Sequence, residues 1–306
     1  MTGVLLVGAG EVGRKHLAAL SDLPGITVLG VADPDPSADL PRDVPTFVSW
    51  MTALAALAPD LVVVATPPGI ALAAARDAAA SGAVVLVEKP VTLDPARLHP
   101  QPGDERISVA FQPHFAPGLD VLLARPPAVD RAEVLLTVNR DAGYYRGWRR
   151  TYASAGGVLH QQAVHGLALA LRLLPGDVES ADARVVHRRL LAEIEDRVTA
   201  TITLTGGRTL HVDAGVDHPG RPRHDVVLHL AGGQRLAVHG RNLEAGLGAT
   251  ADAPSHEELR RRMYRAALAG HPAHPCLFPL SALRRPLEVI DRVYRDAVRD
   301  TPAATA

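Results

Sequence analysis

The sequence predicts an α/β domain built on a parallel sheet, followed by an α+β domain built on a large, mainly antiparallel sheet. Residues 1–90 repeat one unit: a short apolar run, a Gly or Pro break, then an Ala/Leu-rich helical segment. Alternation of this kind is the signature of βαβ units and a parallel sheet. From about Leu119 longer alternating strands take over, separated by Gly-containing turns, a pattern suited to antiparallel pairing. A length of 306 residues suggests about two domains, placed at 1–117 and 118–306.

In the first domain, strands are expected at 4–7, 27–32, 61–65 and 84–87, with helices at 13–21, 50–57 and 70–81 between them and a further strand at 106–110. In the second, strands at 132–139, 181–188, 196–204, 209–216, 226–230 and 234–239 are interrupted by one helix, 157–174. Helices at 256–269 and 281–300 close the chain, the C-terminal one free to pack back on the first domain. The tail 301–306 is expected to be disordered.

Composition narrows the function classes. Hydrophobic residues make up 47%, charged residues 21%, and the net charge is -1, which fits a globular chain without a basic face for nucleic acid. The single Cys276 excludes an internal disulfide framework, and no run is apolar enough for a membrane helix. No charged leader precedes the first strand, so a cytoplasmic location is expected.

The run Val84 to Val87 ends in Glu88, Lys89 and Pro90, and Lys89 is unusual: of 32 basic residues only it and Lys15 are lysines. Arg stays protonated in proteins, whereas an amine can be tuned by burial and neighbours to exchange a proton near neutral pH. Catalysis and simple pairing with Glu88 both account for Lys89 at this point.

Gly8, Gly10 and Gly13, with Glu11 and Val12 between them, follow the first strand and open a helix. That is the context of a dinucleotide fingerprint: Gly8 permits the tight turn, Gly10 lets backbone approach a pyrophosphate, and Gly13 allows helix and strand to pack closely. The helix N-terminus adds N–H donors and a partial positive charge. Asp33 ends the second strand 20 residues after Gly13, where a carboxylate can accept the ribose hydroxyls. The same carboxylate repels a 2′-phosphate, and Pro34 and Asp35 offer no arginine to neutralise one, so NAD is favoured over NADP; Arg42, folding back, would upset this. Asp33 also reads as an Asx turn starter before Pro34.

With this fingerprint, Ala65-Thr66-Pro67-Pro68 after the third core strand and Glu88-Lys89-Pro90 after a later one, the sequence resembles the Gfo/Idh/MocA oxidoreductase family over nearly its whole length. Gly156-Gly157-Val158-Leu159 running to His165, and the ending from Ser281 through Tyr294, are similar to family patterns as well. The resemblance implies a doubly wound Rossmann domain and a second domain whose open sheet forms the interface of a homodimer or homotetramer. It implies a site at the domain junction, with Lys89 and His165 catalytic, with Thr66, Pro67, Glu88 and Lys89 joining the fingerprint residues around NAD, and with a cis Lys89-Pro90 peptide. Tyr144, Tyr145, Arg146, Trp148, Gln161 and Gln162 look like the segments of members acting on nucleotide-linked or amino sugars. The substrate-binding set is Lys89, His114, Tyr145, Arg146, Trp148, Gln161, Gln162 and His165. Packing of an aromatic loop under the sheet is the plainer reading of Tyr144, Tyr145 and Trp148.

The departures matter. The family's usual acid before the histidine is Gln161 here, its usual Asp three residues later is Ala168, a frequent His is Ala71, and a common Arg is His114. On an α-helix Gln161 and His165 would share one face, but an amide cannot raise an imidazole's proton affinity as a carboxylate does. More of the acid/base work is therefore expected of Lys89. His211, His218, His224, His229 and His239 lack metal-ligand spacing and His160 and His165 are five apart, so no metal is expected. Asp196 reads as structural, and His160 as either core or site-lining. The expectation is a dehydrogenase or ketoreductase acting on a sugar, aminosugar, nucleotide-sugar or cyclitol alcohol. Its rivals are redox-neutral NAD chemistry and an NAD-binding protein without catalysis.

Overall fold

In chain order the structure, a computed structural model, begins with β1 (Thr2–Val7), α1 (Glu11–Ser21), β2 (Ile26–Ala32), β3 (Thr46–Phe47), α2 (Trp50–Ala56), β4 (Leu61–Val64), α3 (Pro68–Ala80), β5 (Val84–Val87) and β6 (Ile107–Val109). There follow α4 (Leu119–Ala124), β7 (Val129–Thr137), α5 (Tyr152–Ala155), a π-helical turn Leu159–Ala163, and α6 (Val164–Leu173). The strands β8 (Val178–Val186), β9 (Arg197–Leu204), β10 (Arg208–Gly215), β11 (Arg223–Leu230), β12 (Arg235–His239) and β13 (Asn242–Ala245) come next. The chain closes with α7 (His256–Leu268), β14 (Phe278–Pro279), α8 (Arg284–Asp296) and β15 (Val298–Asp300). Described are residues 1–35, 40–189, 191, 193–245, 253–270 and 274–300; the tail 301–306, expected to be disordered, lies outside them.

The chain divides into two units, Met1–Phe115 with Pro254–Leu283, and Ala116–Ala253 with Arg284–Ala306. In the first, the described strands form one sheet in the order β14-β6-β5-β4-β1-β2-β3. Every pairing is parallel except β14 against β6. Strands covered on both faces need continuous apolar runs, and Val4, Leu5, Leu6, Leu61 to Val64 and Val85 to Val87 are all fully buried. Each such side chain contributes about 1.5–3 kcal/mol by leaving water. Because β1 lies between β2 and β4, the winding reverses there, and open α/β sheets bind ligands outside the carboxyl ends of strands at such a switch point.

A single cut at 117/118 misplaces one segment. Pro254–Leu283 belongs with the first unit because its apolar and aromatic groups are buried there. Tyr264 on α7 bonds to His16 on α1. Phe278 pairs with Val109 and stands edge-on to Phe111 at 4.9 Å. The helix that returns is α7; the C-terminal helix α8 stays with the second unit.

In the second unit the sheet order is β13-β12-β11-β7-β10-β9-β8-β15, antiparallel except for β10 on β7 and β15 on β8. Its register aligns the buried face: Ile202, Leu210, Ala132 and Leu228 form one row, and Ala200, Val212, Val134 and Val226 the next. Helix α6 lies on β7 and β11. Gly166 allows that approach, since a Cβ there would meet Val134 Cγ1 at 2.9 Å and Val226 Cγ2 at 3.3 Å. Arg285 of α8 closes the far end of α6 by donating to the carbonyls of Leu171, Leu174 and Gly176.

Two helix expectations change. The segment 157–174 is a π turn followed by α6, and the helix expected over 281–300 stops at Asp296. Val298–Asp300 instead pairs in parallel with β8, where Arg184 also forms an ion pair with Asp300. The unpaired edge of β8 offers the tail more hydrogen bonds than another turn of helix would.

Candidate active site

The Gly-rich loop sits at the switch point. Gly8 adopts φ 95°, and a Cβ there would press on the Ala65 carbonyl after β4. A Cβ on Gly13 would collide with the Gly8 carbonyl, whereas a Cβ on Gly10 would meet nothing within 4 Å. The loop is therefore closed where helix meets strand and open where a pyrophosphate would approach the N-terminus of α1. Asp33 braces it: Oδ2 accepts the Ala9 N–H at 2.6 Å, and Oδ1 accepts the Asp35 N–H at 2.9 Å. The Asx turn thus forms and at the same time holds the carboxylate beside the loop. Thr66 Oγ1 is a buried hydroxyl with no protein partner, next to Gly8, and Pro67 caps α3. Val12 is half-buried, while Glu11 is exposed and pairs with Lys15 at 2.6 Å. These features fit a dinucleotide.

At the carboxyl end of β5, Glu88 and the half-buried Lys89 precede a cis Lys89-Pro90 bond, as the resemblance implies. Glu88 Oε1 bonds His16 Nε2 at 2.8 Å, its Oε2 accepts the Lys89 N–H at 3.3 Å, and His16 Nδ1 meets Tyr264 Oη at 2.5 Å. Burial alone would raise the Glu88 carboxyl. The His16 hydrogen bond and the charges of His16, Lys89 and Arg260 outweigh it and hold the group below the usual carboxylate range. His114 is buried in the same unit, its ring 5.0 Å from Phe111 and 6.0 Å from Phe278.

In the second unit the start of the site helix is bolted from below. Glu195 Oε1 accepts the Val158 N–H at 2.7 Å and the Tyr294 O–H at 2.5 Å, and Tyr294 Oη accepts the Leu159 N–H at 3.0 Å. A Cβ on Gly157 would overlap Tyr294 Oη and Glu195 Oε1. Burial pushes the Glu195 carboxyl up, only partly countered by these hydrogen bonds. His160 stacks on Tyr294 with ring centroids 5.7 Å apart, and burial brings its pKa down to about 4. It is a neutral packing imidazole.

His165 is half-buried in the first turn of α6, beside Gly166. Gln161 lies in the π turn that precedes α6, and its amide donates to the Gly156 carbonyl at 3.1 Å.

Gln162 anchors a second cluster. Its carbonyl accepts from Arg140 at 2.9 Å and its amide donates to Tyr144 Oη. The Arg140 and Arg149 guanidiniums lie 4.7 Å and 5.1 Å from the Tyr144 ring centre, and Arg149 also lies 4.7 Å over Trp148. Tyr145 is buried, edge-on to Tyr144 at 5.2 Å, and Arg146 and Arg150 are exposed. Arg76, Arg189 and Arg197 pair with Asp104, Asp196 and Asp213. Among the described residues none of Arg140, Arg146, Arg149 and Arg150 pairs with a carboxylate. Asp196 is structural: it accepts from the Arg188 and Arg189 backbone and the Arg189 side chain. Sequence reasoning missed His16, Tyr264, Arg140, Glu195 and Tyr294. Only His16 carried a signal, a polar side chain on the helix face turned to an apolar sheet. Among the described residues no three His, Cys, Asp or Glu side chains gather as metal ligands would, and no helix is long and apolar enough to cross a membrane.

Residues 2–100 match the oxidoreductase family with the NAD-binding Rossmann fold, and residues 129–243 match the GFO/IDH/MocA C-terminal domain. The chain belongs to the Gfo/Idh/MocA oxidoreductase family. It is an NAD-binding oxidoreductase, and its first unit carries the family's Rossmann domain. Solved structures of similar fold include GenD2 from gentamicin A biosynthesis in complex with NAD, with a TM-score of 0.76 and 23% identity over 96% of this chain and 93% of that one. The WlbA dehydrogenase from Chromobacterium violaceum, in complex with NADH and UDP-GlcNAcA, gives 0.75 and 21% over 96% and 93%. Scyllo-inositol dehydrogenase from Lactobacillus casei, with NAD(H) and scyllo-inositol, gives 0.78 and 13% over 97% of both chains. No curated protein matches the chain significantly in sequence.

Proposed function

We propose that this Gfo/Idh/MocA protein is a dehydrogenase or ketoreductase that acts on a secondary alcohol of a sugar, aminosugar, nucleotide sugar or cyclitol. The observation that carries the reading is Lys89: a half-buried amine at the carboxyl end of β5, beside a carboxylate held ionised. NAD, when bound, supplies the hydride-accepting chemistry. Gly8, Gly10, Glu11, Val12, Gly13, Asp33, Thr66, Pro67, Glu88 and Lys89 hold it, with Asp33 taking ribose hydroxyls and excluding a 2′-phosphate. Lys89 Nζ takes the proton of the substrate hydroxyl as the C–H bond gives up its hydride, and His165 relays that proton. His114, Tyr145, Arg146, Trp148, Gln161 and Gln162 position the substrate.

Within these substrate classes the cluster around Tyr144 favours a phosphate-bearing sugar. Guanidiniums without carboxylate partners match phosphate geometry, and ring faces suit a base. WlbA, which shares the fold, is bound to UDP-GlcNAcA. The protein works in the cytoplasm as a homodimer or homotetramer. The half-exposed second face of the large sheet, with Arg197, Thr199, Thr203 and Asp213, is the surface through which copies would join, and light scattering reads the subunit number.

The test is to incubate the protein with NAD and a panel of nucleotide sugars, sugar phosphates and free polyols, following both reduced nicotinamide and substrate. Net reduced nicotinamide with a panel member is expected. Because Gln161 replaces the usual acid, one rival keeps a specific motive: substrate consumed with no net reduced nicotinamide would assign redox-neutral chemistry. No consumption at all would leave a non-catalytic NAD-binding protein.

A further inference from the structure

We infer that His16 and Tyr264 are positioning residues: they hold the Glu88 carboxylate against Lys89, so that this carboxylate governs the pH at which the lysine can accept a proton. The inference rests on the reading of Lys89 as the base. The chain of contacts runs from Tyr264 Oη to His16 Nδ1 at 2.5 Å, from His16 Nε2 to Glu88 Oε1 at 2.8 Å, and from Glu88 Oε2 to the Lys89 N–H at 3.3 Å. Tyr264 and His16 have no exposed surface and Glu88 is 7% exposed. The three side chains come from α7, α1 and the end of β5, so the sequence brings two distant helices to one carboxylate.

Every bond in this chain can be satisfied at once. His16 Nδ1 bonds the Tyr264 hydroxyl, Nε2–H donates to the carboxylate, and the carboxylate keeps its second oxygen for the Lys89 backbone. A buried polar chain is costly unless fully bonded, and apolar side chains of similar size would hold α1 to α7 at least as well. What apolar packing cannot supply is a fixed negative charge next to an amine. The charged groups acting on Glu88 besides His16 are Lys89 and Arg260 of α7. Of the other charges on the two helices, Glu11 pairs with Lys15, Glu257 with Arg261, and Glu258 with Arg262 and Arg265, while Arg14 donates to the Ala9 carbonyl and Arg261 also reaches Asp22. His114 from the neighbouring turn packs on Phe111 and Phe278.

An ionised Glu88 favours the ammonium form of Lys89, so weakening the carboxylate lowers the pH at which the lysine loses its proton. Replacing His16 by an apolar residue acts in the same direction, because a buried carboxylate stripped of its donor takes up a proton itself. His16→Gln keeps a donor near the position of Nε2 and is the conservative control.

The chain contains only two lysines, which makes the lysine directly observable. The full-length protein with NAD bound is reductively methylated with carbon-13 formaldehyde, and the two dimethyl-lysine signals are followed by NMR against pH, Lys89 being assigned by its absence in Lys89→Arg. The Lys89 midpoint is expected to fall by about one pH unit, a tenfold change in proton affinity, in Glu88→Gln. It should fall by somewhat less in His16→Leu and least in Tyr264→Phe, and stay within about 0.2 unit in His16→Gln. Tyr264→Phe removes one hydroxyl and keeps the packing, so the measurement survives if His16→Leu fails to fold. A Lys89 midpoint unmoved in Glu88→Gln and Tyr264→Phe, with only the melting temperature lowered, overturns the inference and leaves a structural network. If the midpoints move as stated while no alcohol is turned over, the dehydrogenase reading fails and the positioning stands.

Discussion

Glu88 in the first unit and Glu195 in the second are buried alike, 7% and 2% exposed, and each is bonded to an aromatic partner, yet they are driven in opposite directions. Glu88 faces His16, Lys89 and Arg260 and is held below the usual carboxylate range against its burial. Glu195 meets the Tyr294 hydroxyl and the Val158 N–H, dipoles without full charge, and burial pushes it up. The difference lies in whether a cation is close enough to offset desolvation. One glutamate is a charge kept for the lysine beside it. The other is a bolt under the first turn of the helix that carries Gln161, Gln162 and His165.

The largest effect expected from this contrast is on the lysine itself. Lys89→Met should cut turnover by about 10²–10⁴-fold, the range for losing a positioned base, while NAD affinity measured by calorimetry stays within about threefold. Undiminished turnover would remove Lys89 from the mechanism. On the bolt side, Gly157→Ala places a Cβ against Tyr294 Oη and Glu195 Oε1 and should cost about 3 kcal/mol by denaturant unfolding, the top of the overpacking range. A cost near zero would mean that the Glu195 contacts are loose. A smaller effect concerns His160, which stacks on the bolt. Its folded pKa of about 4 lies below the ordinary 6.5, so it contributes stability that is full above pH 6.5 and is lost as pH falls toward 4. The shift amounts to at most about 3 kcal/mol. His160→Phe should flatten the fall in melting temperature over that window, and an unchanged fall would assign the acid sensitivity to other groups.

The part of the site built from neighbours in the chain was legible in the sequence. Gly8, Gly10 and Gly13 declare a turn, an open approach and a tight contact because each requirement is local, and Asp33 follows at the spacing one βαβ unit imposes. Lys89 stood out by scarcity. The partners of Glu88 were not legible, since His16 and Tyr264 meet across 248 residues and nothing in α7 distinguishes an amphipathic helix that packs on the first unit from one that packs on the second. The return of Pro254–Leu283 was missed for the same reason. The π turn at Leu159–Ala163 was hidden because a π turn and an α-helix share the same apolar composition over five residues. The pairing of β15 with β8 depended on a vacant strand edge, which a tail of three residues does not announce.

The contrast between the two glutamates is tested most directly by the pH dependence of kcat/KM in Glu88→Gln and Glu195→Gln, measured side by side on the alcohol that reduces NAD. The acid limb, where the base must lose its proton, should move to lower pH by about one unit in Glu88→Gln and stay in place in Glu195→Gln, whose neutral amide keeps an acceptor for Tyr294 and Val158. An acid limb that moves equally in both variants, or only in Glu195→Gln, would contradict the account.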